Sequence, residues 1–169
     1  MFNVNDTVLY GTEGVCRITE LTEREFRGKK VKYYVLKPIY KENATLFVPM
    51  DNETLVGKMR LVPTAEEIKA IIREMPAEEN IWIEDENARK SRYKEIIAGG
   101  DSRELVQLIK TLYMHQKEQR ARGKKLHMAE ERFFKEAEKM LYDEFAVVLG
   151  MKPGEVLPFI IKQIDETRY

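Results

Sequence analysis

The sequence predicts an α+β protein in which a small antiparallel β domain precedes an all-helical domain. Residues 1–62 contain four or five short runs of β-branched and aromatic residues, with no helical pattern between them. From Thr64 onwards, apolar residues recur at intervals of three and four, which is typical of helices that bury one face. The change is sharp and falls near Val62, so we expect two domains, residues 1–62 and residues 63–169.

The β domain is predicted from strand-like segments that are joined by turns. The segments "TVLY", "VCRIT", "KYYVLKPIY" and "TLFVPM" are rich in the residues that favour strands, and a last short strand is expected over residues 59–62. A hairpin connection is expected around Gly28. Short strands without intervening helices favour a small antiparallel barrel or sandwich over a parallel sheet.

The first three predicted helices each have a recognisable end signal. Thr64 and Glu67 have the spacing of a capping box, and Pro76 is expected to end the helix that they begin. A second helix is expected over about residues 87–98, closed by two glycines, and Asp101 is expected to cap the third helix.

Two further helices are predicted in the last third of the chain. A long helix is expected over about residues 128–149, where Gly150 supplies a C-terminal stop. Proline is tolerated in the first turn of a helix, and two prolines follow. The pattern therefore leaves two starts open for the final helix, Pro153 or Pro158.

Two glycines, Gly11 and Gly14, follow the first predicted strand. Glycines after a strand can bind a phosphate, but a dinucleotide fingerprint needs a third glycine and a helix, and a P-loop needs Gly-Lys-Ser/Thr. Here another strand follows. We therefore interpret both glycines as residues that allow positive φ in a tight connection between two strands.

The sequence contains no catalytic or metal-binding pattern. Cys16 is the only cysteine, which excludes an internal disulfide and a multi-cysteine metal site. His115 and His127 have no nearby Cys or acidic ligand pattern, and no nucleophile elbow is present. There is also no signal peptide and no apolar run of the ~18 residues that span a membrane. We predict a cytoplasmic, non-enzymatic protein without a cofactor, metal or small-molecule substrate.

Charge is unevenly distributed along a chain whose net charge is zero. Residues 87–125 contain eleven basic and four acidic residues, a net charge of +7. The basic residues are concentrated in the segments "ARKSRYK" and "QKEQRARGKK". Such asymmetry favours binding to a phosphate backbone or an acidic partner. The alternative is a solvated surface in which cations stabilise the C-terminus of a helix.

Trp82 is the only tryptophan and lies in the acidic segment between the first two predicted helices. We interpret it as an anchor in a core or between domains, because a tryptophan buries a large apolar area. A base-stacking or wedge role in nucleic-acid binding is the alternative interpretation.

The segments "NVNDTVLYGTEGVCRI", "FRGKKVKYYVLKPIY", "TLFVPMDN" and "RYKEIIAGGD" occur in this order along the chain. Together they resemble the CarD/CdnL family of bacterial transcription regulators, and the resemblance covers essentially the whole chain. It implies a Tudor-like barrel that binds the β subunit of RNA polymerase. It also implies a helical domain that contacts promoter DNA near the upstream edge of the transcription bubble. Such proteins act on open-complex stability and carry no catalytic site.

The resemblance also implies individual site residues. Arg24 matches an arginine that contacts the polymerase, whereas the family's other basic contact falls at Phe47, which suits an apolar spot on the partner. Arg92 and Lys94 match basic positions of the DNA-binding element. Some members place a wedging tryptophan where this chain has Arg89, and an arginine can enter a narrow minor groove electrostatically.

The predicted sites and the alternative functions are as follows. Polymerase binding is assigned to Arg24 and Phe47, and DNA binding is assigned to six basic residues: Arg89, Lys90, Arg92, Lys94, Lys124 and Lys125. One alternative is an RNA-binding or ribosome-associated factor with an SH3-like barrel, and another is a protein–protein adaptor. Residues 1–62 contain ten basic and eight acidic residues, so their net charge of +2 gives the RNA-binding alternative little support.

Overall fold

The computed structural model describes residues 1–77 and 80–166, apart from the side chains of Thr12 and of residues 164–166. The chain divides into two compact units, Met1–Val62 and Pro63–Tyr169, called here the sheet unit and the helical unit. Strands lie in the first and helices dominate the second, which confirms the predicted α+β class. No helix in the described part of the chain is long and apolar enough to cross a membrane.

The sheet unit is a five-stranded antiparallel sheet with the strand order β4-β3-β2-β1-β5. The strands are β1 (Thr7–Tyr10), β2 (Val15–Phe26), β3 (Lys29–Pro38), β4 (Leu46–Pro49) and β5 (Met59–Leu61). Each predicted strand is present, although β2 continues to Phe26, well past the predicted segment "VCRIT". A four-residue helix, α1 (Glu53–Val56), was not predicted; the Asn52 side chain caps it by accepting a hydrogen bond from the Leu55 N–H.

Positive φ angles occur at the turns that the glycine pattern predicted. Gly11 and Gly14 have φ of 49° and 85° and flank a 3-10 turn between β1 and β2, which confirms their predicted role. Arg27 and Gly28 join β2 to β3 with φ of 51° and 76°. Two consecutive positive φ angles are those of a type I′ hairpin turn, whose twist matches that of the paired strands.

A β-bulge in β2 changes which side chains face the core. Ile18 pairs with Leu36, but Glu20 pairs with Val35, so Thr19 is one extra residue on β2. The Thr19 hydroxyl donates a hydrogen bond to the Val35 carbonyl at 3.4 Å. Because side chains alternate along a strand, one extra residue reverses the face of every later residue of β2.

The core of the sheet unit lies on one face of the sheet. It receives side chains from every strand: Val8, Cys16, Ile18, Tyr34, Leu36, Val48 and Met59. Burial of these apolar side chains is the main stabilising contribution to a sheet of this size.

The helical unit contains five helices. They are α2 (Ala65–Glu74), α3 (Glu86–Gly99), α4 (Ser102–Ala121), α5 (Met128–Leu149) and α6 (Pro153–Glu166). A 3-10 turn, Met75–Ala77, follows α2 and contains the Pro76 that was expected to end it. All five predicted helices are confirmed within a residue or two at their ends.

The structure shows at which of the two prolines helix α6 begins. It begins at Pro153, so the alternative start at Pro158 is wrong and Pro158 lies inside the helix. Pro153 lies in the first turn, where no intrahelical N–H partner is needed. Pro158 removes one backbone bond, but Val156 and Ile160 on either side of it are buried in the core, and this burial keeps the segment helical.

Side-chain caps begin three of the helices of the helical unit. Thr64 and Glu67 form the predicted capping box at α2, with the Glu67 N–H donating to the Thr64 hydroxyl at 3.2 Å. Asp101 caps α4 as predicted, accepting from the Glu104 N–H at 3.0 Å. Asp85 caps α3 in the same way. These caps satisfy N–H groups that a helix otherwise leaves without partners.

The core of the helical unit receives apolar side chains from all five helices. Its largest fully buried members include Tyr93, Ile96, Leu108, Leu141 and Phe145.

We expect the Thr64→Ala variant to lose about 1 kcal/mol of unfolding free energy, because the Glu67 N–H loses its partner at the start of α2. Urea unfolding followed by helical circular dichroism measures this loss. Thr64→Ser keeps the hydroxyl and is the matched control. Equal losses in both variants would contradict the role assigned to the cap.

Candidate functional site

The structure brings together the two residues that were predicted to bind the polymerase. The guanidinium carbon of Arg24 lies 4.6 Å from the centroid of the Phe47 ring. The ring of Tyr33 packs edge-to-face on the same phenyl ring, with centroids 6.1 Å apart. We call these three residues the Arg24 cluster.

The strand register explains why the Arg24 cluster forms. Tyr33 on β3 faces away from the core, as does its neighbour Val35, which pairs with Phe47 on β4. Without the bulge at Thr19, Arg24 would share the face of Ile18 in the core. The extra residue places Arg24 on the outer face, beside the two rings.

The Arg24 cluster combines a cation with an exposed apolar ring. A guanidinium stacked on an aromatic face still presents its N–H donors at the edge, where they can bind a carboxylate through two hydrogen bonds. Phe47 is 40% exposed and can cover an apolar contact. The cluster therefore suits a protein surface on which an acidic side chain lies next to an apolar one. Tyr33 was not identified from the sequence; its pairing position relative to Phe47 becomes visible only with the register.

Arg89 occupies a different environment from the one that DNA binding requires. It is only 7% exposed. Its guanidinium donates to the Ile83 carbonyl at 2.8 Å and to Glu130 at 3.0 Å, and it lies 4.2 Å from the centroid of the Trp82 ring system. The prediction that Arg89 contacts DNA is corrected accordingly. The buried Glu130 needs a cation, and in this structure Arg89 supplies it.

Trp82 contacts two side chains of the helical unit. Arg89 covers one part of the indole, and the His115 ring stacks on it with centroids 4.0 Å apart and an angle of 28° between the planes. The His115 Nε2 is also 3.7 Å from Glu130 Oε2. Because the indole packs against both of these side chains, its interpretation as an anchor is favoured over base stacking. Arg89, Trp82, His115 and Glu130 are called the Arg89 cluster below.

The Arg89 cluster connects four segments of the helical unit. Arg89 is on α3, His115 on α4 and Glu130 on α5, whereas Trp82 precedes α3.

The pKa of Glu86, the first residue of α3, agrees with this arrangement of the helices. The pKa of Glu86 is lowered chiefly by its hydrogen bond with Lys90, with smaller contributions that include Arg89 and His127. Since His127 directly precedes α5, the N-termini of α3 and α5 are neighbours.

The remaining cations of "ARKSRYK" differ in their partners. Lys90 forms an ion pair with Glu86 at 3.1 Å. Arg92 contacts Glu95 at 3.2 Å and Glu104 at 3.1 Å, and hydrogen bonds to Glu104 and Glu95 raise its pKa. Lys94 is exposed and forms no ion pair with any described residue. Three of the four basic residues in this segment therefore have carboxylate partners. The positive charge that the segment offers to another molecule is smaller than the count of its basic residues suggests.

Lys124 and Lys125 are exposed in the connection between α4 and α5. Neither forms an ion pair with any residue in the described ranges. The predicted DNA-binding residues thus fall into three groups. Arg89 is internal, Lys90 and Arg92 are neutralised in part, and the exposed lysines at positions 94, 124 and 125 are unpaired.

The thiol of Cys16 lies in the core of the sheet unit. Cys16 is fully buried, and burial, followed by the charge of Glu13, raises its pKa from 9.0 to about 11. No group of three His, Cys, Asp or Glu residues in the described part of the chain could hold a metal ion.

Both units match known protein families. The family model described as "CarD-like/TRCF RID domain" matches residues 2–62, and "CarD, C-terminal domain" matches residues 68–160. This chain belongs to the CarD family. It is also similar to a Bacillus subtilis (strain 168) protein named "Putative transcription factor YdeB". The two are 26% identical over 166 residues, which are 94% of this chain and 99% of that protein.

Each candidate site of this CarD family chain lies within one of the two family matches. The Arg24 cluster lies within the match to the RID domain, and the Arg89 cluster and both basic segments lie within the match to the CarD C-terminal domain. The family resemblance that was predicted from the sequence is confirmed.

We expect Arg89→Met to lower the unfolding free energy of the helical unit by about 3–5 kcal/mol, because Glu130 keeps a buried charge without its partner. Urea unfolding followed by helical circular dichroism measures the loss. The double variant Arg89→Met/Glu130→Met should recover most of it.

Lys90→Met is the control for this experiment, because Lys90 forms an exposed ion pair one residue away, and it should change stability by less than about 1 kcal/mol. A single Arg89→Met variant as stable as this control would contradict the structural role of the Arg89 cluster.

We expect the Cys16 thiol to react very slowly with iodoacetamide at neutral pH in the folded protein. A pKa raised by about two units leaves about 100-fold less thiolate, and burial blocks access as well. The same reaction in urea should proceed at the rate of an ordinary thiol. Equal rates in the two states would show that Cys16 is accessible.

Proposed function

We propose that this CarD family chain is a non-enzymatic transcription regulator that binds the β subunit of bacterial RNA polymerase. In this proposal the sheet unit binds the polymerase and the helical unit contacts promoter DNA near the upstream edge of the transcription bubble. The combined contacts modulate the stability of the open complex. The protein acts by binding alone, in agreement with the inert thiol and with the family to which the chain belongs.

The observation that carries the proposal is the contact between Arg24 and Phe47. Two residues assigned separately to polymerase binding lie on one exposed face and form one surface with Tyr33. Interface hot spots are enriched in arginine and aromatic residues that are held in place before binding. Further support comes from the match to the RID domain and from the relative's name, which describes a transcription factor.

DNA binding is assigned to cations of the helical unit. Five of the six predicted residues remain in the proposal: Lys90, Arg92, Lys94, Lys124 and Lys125. Few phosphate contacts give weak binding on their own. Attachment to the polymerase raises the effective concentration of DNA at the helical unit, so weak contacts are sufficient within the complex.

We expect Arg24→Glu to abolish or strongly weaken the capture of purified RNA polymerase, or of its isolated β lobe, by the full chain. Loss of a hot spot of at least 2 kcal/mol corresponds to about 30-fold weaker binding. Phe47→Ala should weaken capture as well, because it removes the ring under Arg24. A pull-down with graded polymerase concentrations measures both effects.

Lys30→Glu is the matched control for this pull-down, because it makes the same charge change at an exposed position of the same hairpin. Capture should persist in this variant. Equal capture by wild type and Arg24→Glu would overturn the proposed surface. Failure of wild type to bind polymerase would overturn the proposed function and leave the RNA-binding and adaptor alternatives.

A further inference from the structure

The helical unit contains an apolar groove that shares no residue with the Arg89 cluster. The groove has a volume of about 520 Å³ and is formed by α4, α5, α6 and the 3-10 turn Met75–Ala77. We call it the Glu138 groove, after a carboxylate in its lining. We propose that the Glu138 groove binds a small organic cation as a ligand, a molecule with an apolar body and an ammonium group that pairs with Glu138.

The size and lining of the Glu138 groove are those of a small-molecule site. Such sites have volumes of about 300–1,000 Å³ and apolar walls that carry a few polar groups. The walls here are largely aliphatic side chains of three helices, which include Val106, Ile109, Leu141, Leu157 and Ile160. These walls suit the apolar body of a ligand, which would leave water on binding.

The groove also exposes large apolar side chains to solvent. Tyr113 is 54% exposed, Met114 37% and Leu157 45%, and all three line the groove. Single apolar residues on a surface need no explanation, but several that adjoin one concave site indicate a binding surface. A ligand in the Glu138 groove would cover them.

Glu138 has a hydrogen-bond donor but no cation among the described residues. The Tyr142 hydroxyl donates to its Oε2 at 3.1 Å. Burial raises the pKa of Glu138, and the hydrogen bond from Tyr142 offsets this rise only in part. A half-buried carboxylate that lacks a cation within the protein favours a ligand that supplies one.

Lys110 lines the same groove but does not neutralise Glu138. Its ammonium group donates to the Pro76 carbonyl at 2.8 Å. The pKa of Glu138 is set by burial and by Tyr142, with no contribution from Lys110. The Glu138 carboxylate is therefore available to a cation from outside the chain.

Aromatic rings on α5 indicate which kind of cation the groove suits. Phe134, Glu138 and Tyr142 are four residues apart, so the carboxylate lies on one helix face with an aromatic residue one turn to either side. Tyr113 of α4 lines the groove as well. Aromatic faces attract ammonium groups, including alkylated ones. A metal ion needs several oxygen ligands, so one carboxylate among aromatic and aliphatic side chains favours an organic cation.

The test measures the affinity of the full chain for three fluorescent probes that have the same apolar body. Dansylcadaverine carries a dansyl ring system on an alkyl chain that ends in an ammonium group. A hydroxyl or a carboxylate replaces the ammonium group in the two matched probes. In fluorescence titrations, the ammonium probe should bind wild type at least about 10-fold more tightly than the hydroxyl probe, because hydrogen bonds to charged groups contribute that much or more.

Glu138→Gln should reduce this preference to about 1–2-fold, since the variant loses the charge. The variant keeps an oxygen that accepts the hydrogen bond from Tyr142, so the fold is retained. Tyr113→Ala removes a half-exposed ring and should weaken the ammonium probe by about 3-fold.

Glu136→Gln is the matched control, because it removes the same charge at an exposed position of the same helix outside the groove. It should bind all three probes as wild type does. Circular dichroism verifies that the variants keep their helices.

Loss of the preference for the ammonium probe in Glu138→Gln alone supports the inference. Equal affinity of wild type for the three probes, tightest binding of the carboxylate probe, or an unchanged preference in Glu138→Gln overturns it. Light scattering tests whether a second copy of the chain covers the groove instead. A dimer that Tyr113→Glu converts to a monomer would overturn the inference as well. The inference does not depend on the proposed function, because capture of polymerase is assigned to the sheet unit and is measured separately.

Discussion

A buried carboxylate in the helical unit determines how its charged segments are used. Glu130 is fully enclosed near the start of α5, and an unpaired charge there would destabilise the fold by several kcal/mol. Arg89 supplies the matching cation and at the same time covers Trp82, which is stacked on His115. One ion pair thus connects α3 to α5 and orients the single tryptophan. It also removes from solvent the arginine that the sequence places where some family members have a wedging tryptophan.

In the sheet unit, the bulge residue Thr19 determines which side chains of β2 face the core and which face outward. The bulge at Thr19 leaves the core alternation intact up to Ile18 and reverses it beyond that point. Arg24 thereby reaches the outer face, where its guanidinium lies over the Phe47 ring and Tyr33 packs against that ring. Because position 47 is a phenylalanine, this surface presents one cation on an aromatic support. A partner that fits it needs an acidic side chain beside an apolar one.

Much of the fold follows from local signals in the sequence. The strands, the helix caps at Thr64 and Asp101 and the turn glycines are short-range features, and they were predicted because their causes lie within a few residues. The Thr64–Glu67 box and the positive φ of Gly14 are examples. Helix α6 shows the limit of local rules, since the tertiary burial of Val156 and Ile160 outweighs the helix-breaking tendency of Pro158.

The candidate sites were predictable only in part. The run of basic residues around Arg89 looks uniform in sequence, yet the partner of Arg89 is 41 residues away and one partner of Arg92 is 12 away. Neither separation along the sequence follows from helical spacing. Which cations are buried and which are exposed therefore depends on tertiary packing. Tyr33 was missed for the same reason, because its contact with Phe47 depends on strand register.

The central claim is that the sheet unit contacts the polymerase and the helical unit contacts DNA in the same complex. Site-specific photo-crosslinking in an assembled polymerase–promoter complex tests it directly. Benzoylphenylalanine would replace Phe47 in one full-length variant and Lys124 in another. The account predicts that position 47 crosslinks to the β subunit and position 124 to promoter DNA. Crosslinking of position 47 to DNA or to another subunit, or of position 124 to protein alone, would contradict it.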